Sequence, residues 1–188
     1  NPDLGDPQLD LKHAQTEAQD VAKVLPNSRA LVRREASESA FKRYGEGFKY
    51  LHIASHGTFY ADAPLNSALL LAKDSTNDGT LTVGELYSMR LNADLVTLSA
   101  CETGLGKIAN GDDVVGLTRG FLYAGSRSIV ASLWKVDDEA TAYLMTRFYG
   151  ALKGTSKREA LRLAQLETRK KYSHPYYWAA FQLTGEAN

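Results

Sequence analysis

Cysteine is almost missing from this chain, since Cys101 is the only one among its 188 residues. One cysteine cannot form a disulfide within the chain, so the fold does not depend on an oxidising compartment. We therefore expect a reduced thiol and a cytoplasmic location. Cys101 stands where the apolar run of LVTLSACETG breaks into a glycine-punctuated loop.

An excess of charge is missing as well. Lys and Arg together number 22, as do Asp and Glu, so the formal net charge is zero. Proteins that bind nucleic acids or anionic membrane surfaces usually carry an excess of positive charge or a basic patch. We therefore expect neither a nucleic acid nor a membrane among the partners.

Long hydrophobic runs are also lacking. Apolar runs such as ALLLA at 68–72 are much shorter than the roughly 20 residues with which a helix crosses a bilayer. The first residues, NPDLGDPQLD, have neither the basic start nor the apolar centre of a signal peptide. These features predict a soluble domain.

Predicted helices and strands alternate from one end of the chain to the other. Helices are predicted at 9–25, 37–44, 112–125, 137–152 and 159–172, with a short helix after Thr82. Strands are predicted at 29–34, 48–55, 67–74, 93–101, 128–134 and 176–185. Strands separated by helices favour a mainly parallel central sheet with helices on both faces, which is a three-layer α/β/α fold.

Local signals mark several helix ends. Ser37 is predicted to cap one helix, and Thr82 with Glu85 forms the pattern of a capping box. Gly125 ends the helix that follows the glycine-rich loop, at a position that favours a left-handed backbone.

The chain suits one domain, because 188 residues with 44% hydrophobic content are enough to build a core. It opens in turn-forming residues with no strand ahead of them, although folds of this kind usually begin with a central strand. We therefore expect residues 1–188 to be one domain that is a piece of a longer protein and lacks its first strand.

Two of the predicted strands end in reactive residues, with His52 and His56 in HIASHG and Cys101 in LVTLSAC. The carboxyl ends of parallel strands gather at the edge of the sheet where ligands bind. If these strands are neighbours, His56 lies beside Cys101, and the imidazole favours the thiolate, which is the actual nucleophile. The amides of Gly57 and Cys101 are then candidates to bind a developing oxyanion.

The motifs HIASHG, LSACETG, SLWKVDD and HPYYWAAFQLTG, in this order, resemble the signature of the CHAT family of caspase-like domains. The resemblance covers the chain from Asn1 to about Gly185. It implies the caspase/hemoglobinase fold of clan CD cysteine peptidases, with His56 as general base and Cys101 as nucleophile. Cys101 follows His56 by 45 residues, close to the spacing of roughly 50 in caspases. Since CHAT domains often end tetratricopeptide-repeat proteins, the resemblance also implies that this domain is the C-terminal part of a longer protein. It implies such repeats as regulatory partners, in the same chain or another.

The residues after the third central strand supply candidates for substrate binding. Caspases hold their cysteine in a Gln-Ala-Cys-Xaa-Gly context, whereas SACETG at 99–104 departs from it and argues against aspartate specificity. Asp137 or Asp138 would instead line the pocket for the substrate side chain before the scissile bond and favour Lys or Arg there. Trp134 would form one wall of the same pocket. Structural roles stay open, because acidic residues also stabilise helix N-termini and tryptophan also packs in cores.

Other kinds of site are disfavoured. His52 and His56 have the spacing of the two histidines in an HExxH zinc motif, but the glutamate of that motif is missing. We therefore expect no metal and a structural role for His52. GLGKIANG at 104–111 lacks the Lys-Ser/Thr ending of a phosphate-binding loop, and no Gly-Xaa-Ser-Xaa-Gly elbow surrounds Ser99. We expect no cofactor.

Together these observations predict a cysteine endopeptidase domain of a larger prokaryotic protein, acting on a protein or peptide substrate. Two alternatives stay open. One is a catalytically silent scaffold or binding module with the same fold, and the other is a thiol hydrolase or acyl transferase that acts on a non-peptide substrate.

Overall fold

The computed structural model describes residues 1–60, 62–99, 101–102, 113–134 and 136–188, with the backbone alone for 101–102 and 113–115. The predicted helix start at Asp112 and the loop at 103–111 lie outside the described residues. The strands are β1 Tyr50–Ile53, β2 His56–Thr58, β3 Ala68–Leu70, β4 Thr80–Thr82, β5 Leu95–Leu98, β6 Cys101–Glu102, β7 Ser128–Ser132 and β8 Phe181–Gly185. The α-helices are α1 Ala14–Val24, α2 Glu38–Tyr44, α3 Val83–Leu86, α4 Asp113–Tyr123, α5 Asp138–Leu152 and α6 Lys157–Lys171.

The main sheet has the strand order β1-β5-β7-β8. Strands β1, β5 and β7 run parallel, and β8 pairs antiparallel with β7. In register, Ile53 lies opposite Leu98, and Leu98 lies opposite Ala131. The prediction of a mainly parallel central sheet is confirmed, and the carboxyl ends of three strands lie at one edge.

A second sheet, with the order β4-β3-β2-β6, extends this edge. Strand β2 follows β1 after only Ala54 and Ser55, and β6 follows β5 after 99–100. Strands β2 and β6 pair parallel, whereas β3 pairs antiparallel with β2 and with β4. The two strands that carry the predicted reactive residues therefore continue past the main sheet side by side.

Helices cover both faces of the main sheet. Leu95 and Val130 pack on one face with residues of α1, α5 and α6, including the fully buried Phe148. Val96 and Ile129 pack on the other face with residues of α3 and α4. Strands buried on both sides need apolar residues at nearly every position, which explains why three of the four residues of β5 are apolar. The three-layer arrangement is confirmed.

The predicted helix caps are also confirmed. The Ser37 hydroxyl accepts a hydrogen bond from the Ala40 amide. Thr82 and Glu85 form a reciprocal capping box at the start of α3. Gly125 has a φ of +104°, the left-handed conformation expected just after α4.

Two predicted strands are wrong in whole or in part. In the segment 29–34 the structure has only a single bridge, between Pro2 and Arg33. The predicted strand at 176–185 begins only at Phe181, because Pro175–Tyr177 forms a 3-10 turn that the His174 side chain caps. Proline lacks an amide donor and has a fixed φ, so it favours the first position of such a turn. None of the helices within the described ranges is long and apolar enough to cross a membrane.

Candidate active site

The backbone brings the positions of His56 and Cys101 together. Strands β2 and β6 are parallel neighbours in which His56 lies opposite Cys101 and Gly57 lies opposite Glu102. Neighbouring strands lie about 4.8 Å apart, so opposed residues are adjacent. The strand segments that carry His56 and Cys101 are therefore neighbours, as the predicted pair requires. The Cys101 side chain lies outside the described residues.

A main-chain carbonyl orients the His56 ring. His56 is 9% exposed, and its Nε2 atom lies 2.7 Å from the carbonyl oxygen of Leu9. A carbonyl can only accept a hydrogen bond, so Nε2 carries the proton and donates it. In the neutral ring the lone pair is therefore on Nδ1, which makes Nδ1 the basic nitrogen.

Leu9 is held in place by local structure. It ends the 3-10 turn Pro7–Leu9, which Asp6 caps through a 2.9 Å hydrogen bond from the Gln8 amide. The next residue, Asp10, pairs with Arg33 at 2.5 Å. This partner of His56 cannot be predicted from the sequence, because a main-chain carbonyl leaves no side-chain signature.

His52 lies on β1 and belongs to a buried polar pair. Its Nε2 atom is 2.9 Å from a carboxylate oxygen of Glu17 on α1, and the two side chains are 8% and 3% exposed. Its Nδ1 atom has no hydrogen-bond partner among the residues that the structure describes. The Tyr149 ring contacts His52 edge-on at 5.5 Å, and the Tyr149 hydroxyl donates to Thr97 at 2.8 Å. This arrangement fits the structural role expected for His52.

The predicted substrate-binding residues follow β7 at the same edge of the sheet. Trp134 is 37% exposed, and its indole N–H donates to the carbonyl of Tyr176, so it does not pack in the core. Asp137 caps α5, because its Oδ1 accepts a hydrogen bond from the Ala140 amide at 2.9 Å. Asp138 is the first residue of α5. A role of these three residues in substrate binding stays a prediction.

Comparison with known proteins assigns the fold to a family. The family model of the CHAT domain matches residues 4–186, which is nearly the whole chain. This chain belongs to the CHAT domain family. Its mixed α/β structure with a mainly parallel sheet agrees with the caspase-like fold of that family.

The curated relatives of this CHAT domain include very long proteins. Tetratricopeptide repeat protein 28 of Mus musculus is 36% identical over 110 residues, which cover 56% of this chain and 4% of the mouse protein. Tetratricopeptide repeat protein 28 of Homo sapiens is 32% identical over 145 residues, which cover 74% of this chain and 5% of the human protein. The matches thus span only 4–5% of the length of these relatives. Their names agree with a CHAT domain fused to tetratricopeptide repeats, whereas the prokaryotic source stays a prediction.

The predicted oxyanion donors of the CHAT domain lie on the paired strands β2 and β6. Gly57 pairs with Leu69 of β3 on one side and with Glu102 on the other. A Cβ atom at Gly57 would lie 3.2 Å from the Phe59 ring, so a larger residue would require that ring to shift by a few tenths of an ångström. The role of the Gly57 and Cys101 amides as oxyanion donors stays a prediction.

Proposed function

We propose that this CHAT domain is a cysteine endopeptidase in which Cys101 is the nucleophile and His56 is the general base and acid. The observation that carries the proposal is the pairing of β2 with β6, which sets His56 opposite Cys101. The hydrogen bond from His56 to Leu9 adds support, because it leaves Nδ1 as the basic nitrogen. Membership of a family related to caspase-like peptidases agrees with this chemistry.

The reaction begins with proton transfer from the Cys101 thiol to Nδ1 of His56, which gives a thiolate and an imidazolium. The thiolate attacks the carbonyl carbon of the substrate peptide and forms a tetrahedral oxyanion. When the C–N bond breaks, the Nδ1 proton passes to the leaving amine, and a thioester remains. Water then gives a proton to His56 and attacks the thioester, which releases the carboxylic acid and restores the thiol. Throughout, the Leu9 carbonyl accepts from Nε2 and keeps the ring oriented.

Substrate recognition is proposed for two places around this pair. The amides of Gly57 and Cys101 bind the oxyanion of the tetrahedral intermediate. Asp137 and Asp138, beside the exposed ring of Trp134, favour a Lys or Arg side chain before the scissile bond. Capping of α5 engages Oδ1 of Asp137, and an exposed carboxylate at a helix start remains suited to contact a cationic group.

A library of fluorogenic peptides tests the proposal. We expect cleavage after basic residues, with a loss of about 10²-fold or more in both Cys101→Ala and His56→Ala. Asp137→Asn and Asp138→Asn should selectively slow the cleavage of peptides with Lys or Arg before the scissile bond. Cleavage that persists in Cys101→Ala would overturn the proposal. Hydrolysis of thioesters or esters without cleavage of any peptide would point to the non-peptide thiol hydrolase, and inertness toward all substrates would point to the scaffold.

Regulation by other segments is a second part of the proposal. The relatives are named for tetratricopeptide repeats, and we propose that such repeats, in the same chain or a partner chain, switch the domain in the cytoplasm. The only helix described between β6 and β7 is α4, which suits an ordinary crossover rather than a cleavable linker. We therefore expect the domain to work as an uncut chain. Activity that a protease-treated sample gains only after a break between Cys101 and Ile129 would refute this expectation.

A further inference from the structure

Aromatic side chains continue along the surface from Trp134 to α5. The indole N–H of Trp134 donates to the Tyr176 carbonyl at 3.2 Å, and the Tyr176 ring lies 5.3 Å from that of Tyr177. Next come the Tyr172 ring, 5.5 Å from Tyr177, and the Tyr143 ring, 6.3 Å from Tyr172. All five side chains are at least partly exposed. We call them the aromatic patch: Trp134, Tyr143, Tyr172, Tyr176 and Tyr177.

Exposed cations lie over the rings of the aromatic patch. Nζ of Lys171 lies 5.0 Å from the centre of the Tyr143 ring and 4.8 Å from that of Tyr172. The Arg147 guanidinium lies 4.8 Å from the centre of the Tyr143 ring. The rings attract these cations and restrict their movement. An anion that binds them therefore immobilises less side-chain freedom than it would at free lysines and arginines.

One acidic residue compensates part of this charge. An oxygen of Glu139 lies 3.3 Å from Nζ of Lys171 and accepts a hydrogen bond from the Tyr172 hydroxyl at 2.8 Å. This single carboxylate serves both partners, so it balances one positive charge.

Two arginines keep their charge unbalanced. Arg147 forms no ion pair within the described part of the chain, and Glu167, which it influences electrostatically, pairs with Lys170 at 2.5 Å. The Arg169 guanidinium lies 5.8 Å over the Trp178 ring and likewise has no ion pair among the described residues. The surface therefore combines exposed rings with an excess of positive charge.

We propose that the aromatic patch and the cations over it form a docking surface for an acidic stretch of a protein. The proposal rests on the proposed function only in identifying that protein as the substrate. Glu139, which contacts Lys171, and Asp137 both lie at the start of α5, so the surface adjoins the residues proposed to favour Lys or Arg. A substrate then carries two marks, a basic residue at the cleaved bond and an acidic stretch that contacts Arg147 and Lys171.

A protein stretch fits this surface better than a nucleic acid does. Tyrosine, tryptophan and arginine are the residues that contribute most at the centres of protein interfaces. The chain has no net charge, whereas proteins that bind nucleic acids carry a basic footprint. The carboxylates of Asp137 and Asp138 at the start of α5 would also repel a phosphate backbone.

Fluorescence anisotropy of labelled peptides tests the proposal in Cys101→Ala, which removes the thiol and leaves the docking surface unchanged. The probe is the designed peptide EEFEEF, and its matched control is QQFQQF, which keeps the rings and lacks the charges. We expect EEFEEF to bind at least about fivefold more tightly than QQFQQF, and this difference to shrink as salt screens the charges. Equal affinities of the two peptides would overturn the proposal.

Two double variants test where the peptide binds. Arg147→Gln with Lys171→Gln removes two cations of the docking surface and should weaken the binding of EEFEEF by about fivefold or more. Arg90→Gln with Lys73→Gln removes two exposed cations outside the patch and should leave the affinity unchanged. All four side chains are exposed, so we expect every variant to fold, which circular dichroism checks. Weaker binding in both double variants, or in neither, would overturn the proposal.

Other occupants of the surface give different results. Labelled oligothymidylate that binds more tightly than EEFEEF, and loses its affinity in the Arg147 and Lys171 double variant, would indicate a nucleic acid. A Cys101→Ala dimer that the same double variant dissociates, as measured by sedimentation, would indicate a second copy of the chain. Either result would overturn the proposal.

Cleavage assays separate this proposal from the proposed function. Two fluorogenic peptides carry EEFEEF before or after the cleaved lysine, and at least one should have a KM about fivefold or more below that of its QQFQQF counterpart. The value of kcat should not change, because docking stabilises the bound substrate and the transition state equally. The same KM with and without the acidic residues would overturn the role in substrate binding. If no peptide is cleaved while EEFEEF still binds as predicted, the proposed peptidase fails and the docking surface is supported.

Discussion

Glu17 on α1 and His52 on β1 form a buried contact, four residues before His56 in the chain. Each side chain is more than nine-tenths buried, and their hydrogen bond joins α1 to β1. When one partner of a buried polar pair is removed, the other loses its hydrogen bond but stays excluded from water, which costs free energy. We expect Glu17→Ala to lower the free energy of unfolding by about 1–3 kcal/mol, as measured by urea denaturation.

Two variants serve as controls for this prediction. Glu17→Gln keeps a hydrogen-bond acceptor at the same place and should lose less stability than Glu17→Ala. Glu46→Ala removes an exposed carboxylate and should change stability by less than about 0.5 kcal/mol. A Glu17→Ala protein as stable as the wild type would show that the buried contact contributes nothing.

The buried hydroxyl of Tyr149 makes the free energy of unfolding depend on pH in the alkaline range. Burial raises the pKa of Tyr149 above its ordinary value of 10.0, and the opposing hydrogen bond with Thr97 does not compensate. The folded state therefore holds this proton more tightly than the unfolded state does. The resulting stability is complete below pH 10 and is lost progressively as the pH rises above it.

The matching experiment compares the free energy of unfolding at pH 8 and pH 11. The wild type should lose about 1.4 kcal/mol more than Tyr149→Phe over this interval. Tyr123→Phe, at a side chain that is 72% exposed, is the matched control and should follow the wild type. The same alkaline loss in Tyr149→Phe and in the wild type would contradict the prediction.

At the scale of single residues, the sequence predicts which side chains lie near each other at the sheet edge better than it predicts their hydrogen-bond partners. The positions of His56 and Cys101 follow from a general rule, that the ends of parallel strands meet at one edge. The Leu9 carbonyl could not be predicted, since every residue carries one. Glu17 reads as an ordinary helical carboxylate until α1 is packed on β1, so only the tertiary structure shows its contact with His52.

At the scale of elements, alanine substitutions at two glycines distinguish the effect of backbone strain on stability from the effect of helix propensity. A Cβ atom at Gly125 would lie 2.6 Å from the Leu91 carbonyl oxygen, at a φ of +104°. Gly150 lies within α5, and no atom outside its chain neighbours and the adjacent helix backbone lies within 4 Å of the Cβ position. We expect Gly125→Ala to destabilise the protein by more than about 1 kcal/mol, because both strain and a clash result.

Gly150→Ala should instead stabilise the protein by roughly 0.5–1 kcal/mol, since alanine favours a helix more than glycine does. Thermal unfolding of the two variants beside the wild type checks both signs. A neutral Gly125→Ala variant would contradict the left-handed helix end described after α4.

The elements that the sequence predicts correctly are those with local causes. Caps at Ser37 and Thr82 depend on side chains within three residues, and both are present. The strand predicted at 29–34 failed because a strand requires a neighbour, and local sequence does not show whether that neighbour exists. The strand predicted from 176 began too early because the turn at Pro175–Tyr177 overrides the β propensity of the tyrosines.

At the scale of the whole molecule, the proposed site draws on segments far apart in the chain. Leu9 supplies the carbonyl that contacts His56, β2 and β6 carry His56 and Cys101, and the segment after β7 carries Trp134 and Asp137, for which substrate binding is proposed. We expect deletion of residues 1–9 to leave the main sheet folded, because none of its strands lies there. The reactivity of Cys101 at neutral pH should nevertheless fall toward that of His56→Ala. Circular dichroism and thiol alkylation measure the two effects separately, and unchanged reactivity in a folded deletion variant would rule out a positioning role for Leu9.

The pairing of His56 with Cys101 is tested most directly by the pH dependence of alkylation with iodoacetamide. Cys101 is the only cysteine in the sequence, so the intact mass reports one site in the wild type, in His56→Ala and in the control His13→Ala. We predict that the wild type and His13→Ala keep a reactive thiolate well below the free-cysteine pKa of about 8.5, and that His56→Ala loses it. The same pH profile in His56→Ala and in the wild type would contradict the catalytic pair.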